Sequence, residues 1–126
     1  MSKTVIKSNQ APTPVARYSQ GIRMGNTLYV QGVIALDPQT NKMVTGAIDV
    51  QTERIFTSIK AILEAGEMTL ADVVKVTAFL ANLEDYPAFN TVYNRYFTAD
   101  PAPVRTTVQA MPPLGALVEI EVVAAK

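Results

Sequence analysis

The amino-acid sequence predicts an α+β fold, a mixed β-sheet with two helices packed on one of its faces. Three observations predict it. Stretches rich in β-branched residues read as strands, two separate segments switch to a helical period, and the order along the chain is β, β, β, α, β, α, β, β. With 126 residues, no internal repeat and no linker, residues 1–126 are read as one domain.

The elements follow in order. "KTVIK" (3–7) is a short strand, followed by a polar, proline-punctuated loop to Pro14. "RYSQGIRMGNTLYVQGVIAL" (17–36) holds two strands around a Gly25-Asn26 turn, a hairpin signal. "DPQTNKMVTG" (37–46) is a surface loop. From Asp49 to Ala65 the period changes: Ile55, Phe56, Ile59, Ile62 and Leu63 form one stripe of an amphipathic helix. Asp49 is its expected N-cap and Gly66 its stop. "DVVKVTAFLANL" (72–83) has apolar side chains at both parities and reads as an interior strand covered on both sides. "DYPAFNTVYNRYF" (85–97) is a second helix, capped by Asp85 with Pro87 in its first turn. It carries Tyr86, Phe89, Tyr93, Tyr96 and Phe97 on one face, a stripe read as core. Strands at 104–110 and about 117–124 close the chain, joined by "MPPLGA".

Composition excludes several kinds of chemistry. There is no cysteine, hence no disulfide and no thiolate nucleophile. Histidine is absent too, which removes the usual base near neutral pH, the commonest metal ligand, and every Ser-His-Asp or Cys-His system. No metal-site motif is present. Eleven basic residues balance eleven acidic ones with no two Lys or Arg adjacent, so no basic run stands ready for nucleic acid. "MSKTVIKSNQAPTP" lacks an apolar signal core and no stretch is long enough to span a bilayer. A soluble cytoplasmic protein with no membrane partner is expected. Hydrophobic residues make up 48% and charged residues only 17%, and helices on one face leave the other sheet face to be covered, so self-association is expected.

Few residues are left to carry chemistry. Arg105 interrupts the alternation Val104, Thr106, Val108, Ala110. It is either a strand arginine with its head in water or a clamp holding a carboxylate in its planar fork. Thr107 shares its face. Glu119 and Glu121 alternate with Val118, Ile120 and Val122 in the last strand. They form a solvated polar face, or one of them reaches a pocket and handles protons or a water. If the last two strands pair as a hairpin in an even register, Arg105 and a glutamate share a face. Gly32, inside a strand pattern, marks a bulge or a close backbone approach. Tyr18 in "ARYSQG" and Asn90 beside Phe89 complete the set.

Taken together, "RYSQG", "QGVIALDPQT", "ILEAGEMTLADVVKVTAFLANLEDYPAFNTVYNRYF", "PVRTTVQ" and "VEIEVVAA" resemble, in this order, the Rid (YjgF) family of reactive intermediate deaminases. The resemblance runs from about residue 3 to 125. It implies a chorismate-mutase-like fold assembled as a homotrimer, with a cleft between neighbouring subunits. It also implies hydrolysis of 2-aminoacrylate and related enamine or imine acids to 2-oxo acids and ammonia, without metal or cofactor. By the same resemblance Arg105 binds the substrate carboxylate, Glu119 positions water, and Tyr18, Gly32 and Asn90 line the cleft. The sequence departs from the family pattern at four places. Thr107 stands where many members carry cysteine, Arg17 where proline is common, Gln31 where a small serine is common, and "VIA" (33–35) where Gln-Ile-Pro is common. Thr107 and Gln31 are therefore counted with the substrate-binding residues of an altered pocket. Two rival functions are weighed. The cleft binds or senses small 2-oxo acids without turnover, or the protein is chaperone-like or RNA-cleaving as some relatives have been described. The missing histidine and basic run argue against RNA cleavage.

Overall fold

The structure is a computed structural model that describes residues 2–126. Six strands form one sheet in the order β1-β2-β3-β6-β4-β5. They are β1 (Thr4–Ile6), β2 (Gly21–Met24), β3 (Thr27–Val33), β4 (Val73–Leu80), β5 (Val104–Gln109) and β6 (Val118–Ala125). Helices α1 (Ile48–Ala65) and α2 (Tyr86–Tyr96) cover one face. The β2–β3 hairpin turns at Gly25-Asn26, with Gly25 at φ +60° as first central residue, the pattern of a type II′ turn. All pairs are antiparallel except β4 with β5, which the α2 crossover makes parallel.

A hairpin between the last two strands, the condition under which Arg105 and a glutamate would share a face, does not form. β5 pairs with β4 on one side only, and β6 inserts between β3 and β4. Side-chain chemistry accounts for this order. The helix-side residues of β6 are Val118, Ile120, Val122 and Ala124, all at most 1% exposed. Those of β5 are Arg105, Thr107 and Gln109, so β6 takes the centre of the sheet and β5 its edge.

The core lies between sheet and helices. Leu28, Val30, Val76, Leu80, Ile120 and Val122 meet Ile55, Phe56, Ile59, Ile62 and Phe89. Phe56 of α1 ties the helices together, stacked on Tyr96 and edge-on to Tyr93 and Phe97. The opposite face of the sheet is not covered by this chain. β4 is interior to the sheet, but this chain covers it on one side only: Thr77 and Phe79 are half-buried. Tyr29, Val104 and Val108 point to the same open side, Tyr29 at 53% exposure.

Helix ends also differ from expectation. Ala47, not Asp49, is the N-cap of α1 and offers no side-chain bond; Asp49 instead places its charge in the first turn, where the helix dipole favours it. Gly66 does end α1, but with φ −94°. It is glycine because a Cβ there would lie 2.7 Å from Leu28 Cδ2; the left-handed residue is Glu67, at φ +62°. Asp85 is the N-cap of α2 without a side-chain bond; the cap bond of that corner comes from Asn82, which accepts from the Glu84 N–H.

Phe56→Ala should cost about 3–5 kcal/mol of unfolding free energy, because the ring is fully buried and packs against Tyr93, Tyr96 and Phe97. Urea denaturation measures this; a loss below about 1 kcal/mol would mean that the aromatic cluster does not hold the helices.

Candidate functional site

The sequence-predicted residues fall into two groups on opposite faces of the sheet. The first is built around Arg105. Cα pairing sets Arg105 beside Val76, on the helix side, and α2 passes above it. Its Nη1 donates to Asn90 Oδ1 at 2.8 Å and its Nη2 to Tyr86 Oη at 2.6 Å. The guanidinium carbon lies 4.5 Å from the centre of the Tyr93 ring, and 5.5 and 5.6 Å from those of Tyr86 and Phe89. Among the described residues no carboxylate pairs with Arg105, and the recorded ion pair joins Arg95 to Glu53 instead. Two of the five guanidinium N–H groups are engaged, leaving three. Thr107, on the same side of β5, has its Oγ1 buried without a hydrogen-bond partner among the described residues.

The second group lines an open groove of about 760 Å³ bordered by Tyr18, Tyr29, Gln31, Gly32, Pro113 and Glu119. Glu119 pairs with Phe79 on the open side of the sheet. Its carboxylate lies over Gly32, at a register shift between Val30 and Val33. A Cβ at position 32 would stand 2.4 Å from Glu119 Oε2, so any larger residue would displace the carboxylate. Gln31 beside it has a buried Oε1 without a partner among the described residues. The Tyr18 hydroxyl accepts from the Val15 N–H at 3.2 Å. Burial raises the Glu119 pKa above its ordinary value, and the charge of Glu121 on the same face pushes it the same way. Burial likewise raises the Tyr93 pKa, with the Arg105 charge opposing.

Within one chain the two groups do not meet. Glu119 pairs with Phe79 and Phe79 with Val108, so Arg105 is two strands across and three residues along, on the other face. Sequence reasoning missed Tyr86 and Tyr93 as partners of Arg105, treating their stripe as core. The available signal was their spacing: Tyr86, Asn90 and Tyr93 stand at i, i+4 and i+7, one face of α2.

Known proteins share this sequence pattern and this fold. The family model described as Endoribonuclease L-PSP matches residues 8–126. A RutC family protein of Pyrococcus abyssi is 44% identical over 127 residues, covering 100% of this chain and 99% of that one. A protein of Dermatophagoides farinae named 2-iminobutanoate/2-iminopropanoate deaminase is 43% identical over 120 residues, 94% of this chain and 93% of the other. Among solved structures, a conserved Rid family protein from Yersinia pestis superposes with a TM-score of 0.95 at 36% identity, covering 99% of this chain and all of the other (100%). The chain belongs to the endoribonuclease L-PSP family, that of the Rid (YjgF) proteins.

The raised Glu119 pKa has a stability consequence of definite sign. A carboxyl that binds its proton more tightly when folded contributes stability below its unfolded pKa and loses it as pH rises through the folded value. Glu119→Gln removes this titration. The variant should therefore gain stability relative to the parent as pH rises from about 4 to about 7, read by urea denaturation along a pH series. A difference independent of pH would show that burial does not penalise the charge.

Proposed function

We propose that this Rid-family chain hydrolyses small enamine or imine acids of the 2-iminopropanoate type to 2-oxo acids and ammonia, at a site completed between copies of the chain. One observation carries the reading. Arg105 is a guanidinium fixed in orientation, with three N–H groups uncommitted and no carboxylate partner among the described residues. A charge held this way suits an incoming carboxylate better than a solvated strand residue. The relative named as an imine deaminase supports the choice of substrate class.

The chemistry asks little of a chain without histidine or cysteine. The iminium carbon is already electrophilic, so positioning and charge placement supply most of what is needed. Water adds to that carbon while Glu119 takes its proton. The resulting carbinolamine receives that proton on nitrogen, its hydroxyl gives up its own proton to the Glu119 carboxylate as the C–N bond breaks, and ammonia leaves a 2-oxo acid. A carboxyl with a raised pKa suits both accepting and returning the proton. Tyr18, Gly32 and Gln31 shape the water side of the cleft, and Asn90 and Thr107 the carboxylate side.

Since Arg105 and Glu119 lie on opposite sheet faces of one chain, a joint site requires two copies. The open sheet face bearing Tyr29, Val104 and Val108 is the apolar surface through which they would associate. We take the assembly to be a homotrimer of the cytoplasm. A second reading, binding or sensing of 2-oxo acids without turnover, draws on Gln31, whose amide lines the groove beside Glu119.

The test couples a serine or threonine dehydratase to 2-oxo acid detection, with and without this protein, alongside calorimetric binding of 2-oxobutyrate. The parent should accelerate imine loss. Arg105→Ala should weaken binding roughly thirtyfold or more, the cost of removing one partner of a shielded charge pair. Glu119→Gln should bind near normally and lose about 10²–10⁴-fold in turnover. Co-refolding the two inactive variants should restore about a quarter of the parent activity, as mixed interfaces rebuild intact sites in a ring. Binding without acceleration would support the sensing reading, and full activity in Arg105→Ala would sink both.

A further inference from the structure

A clamp needs its fork aimed as well as charged, and in this structure the aiming is done by aromatic residues of α2. We propose that Tyr86 and Tyr93 are positioning residues for Arg105, and that the Tyr86 hydroxyl adds its own proton as a further donor to the bound carboxylate. The inference rests on the reading of Arg105 given above and extends it to two residues outside the expected site.

Both terminal nitrogens of the guanidinium are pinned from one helix, Nη1 by Asn90 and Nη2 by Tyr86, residues one turn apart. Tyr93 supplies the third constraint, its ring centre 4.5 Å from the guanidinium carbon. Two hydrogen bonds and a ring set both the direction and the tilt of the fork. Arginine otherwise carries about 2 kcal/mol of rotamer entropy, which a loosely held side chain would surrender on binding. Here much of that ordering is already done before a ligand arrives.

Tyr86 also has a free valence. Its oxygen accepts from Nη2, so its own O–H remains a donor, and no acceptor for it is recorded among the described residues. It is 38% exposed, so it can reach a ligand directly. Tyr93 is only 7% exposed and acts through Arg105. A carboxylate meeting two of the three remaining guanidinium N–H groups would lie beside the Tyr86 hydroxyl as well. The site so described selects an anionic, planar carboxylate over an ester or amide.

The experiment is a double-mutant cycle read by calorimetry with 2-oxobutyrate, plus steady-state kinetics. Tyr86→Phe keeps the ring and should weaken binding about tenfold, equivalent to about 1.4 kcal/mol. KM should rise by a similar factor with kcat changed less than about twofold, because only uniform binding is lost. In an Arg105→Ala background the same substitution should have a much smaller effect. Tyr93→Leu should weaken binding while Tyr93→Phe restores it, which separates the ring from the hydroxyl; urea denaturation of both variants separates loss of binding from loss of folding. If Tyr86→Phe binds as tightly as the parent while Arg105→Ala does not, this inference fails and the clamp stands. If Arg105→Ala also binds normally, the clamp itself is wrong.

Discussion

An unpaired guanidinium taken out of water costs several kcal/mol, so an arginine on the helix side of a sheet has to lie where it can still meet water or a partner. Arg105 satisfies that constraint by lying on an edge strand, under the first turns of α2, within reach of Asn90 and Tyr86. The strand order follows from it. With β5 held at the edge, β6 fills the position between β3 and β4, and its glutamates face the uncovered side. The same arrangement that keeps the arginine half-solvated therefore removes Glu119 from its reach within one chain.

The aromatic stripe of α2 serves two ends. Toward α1, Tyr93, Tyr96 and Phe97 surround Phe56 and lock the helices together. Toward β5, Tyr86 and Tyr93 form the bed on which Arg105 rests. Tyr93 belongs to both groups, so core packing and the geometry of the charged site are mechanically continuous.

The periodic elements were legible because each is a local pattern. The stripe Ile55, Phe56, Ile59, Ile62, Leu63 and the alternation of Val118, Ile120, Val122 need no knowledge of distant partners. Strand order was not legible that way. Pairing the last two strands is the short-range possibility, and the sheet order excludes it through a competition for burial that only the whole sheet decides. The face of Arg105 was lost with it. Gly32 was readable as a site of close approach, but that Glu119 makes the approach depends on a register shift across β3 and β6. Asn90 could be picked out by resemblance; Tyr86 could not, since an aromatic at helical spacing looks like core until its hydroxyl is seen to end on a guanidinium.

The far end of the sheet differs from the β5 edge. β1 has three residues, Thr4–Ile6, with Lys3 and Lys7 directly on either side. An edge this short and this charged offers another chain few backbone groups to extend and repels a strand carrying like charge. Fibrous growth by strand addition needs a receptive edge at each end of every unit. This sheet has one such end at most, and so an apolar, lightly charged chain is guarded against open-ended stacking by the three residues and two lysines at its start.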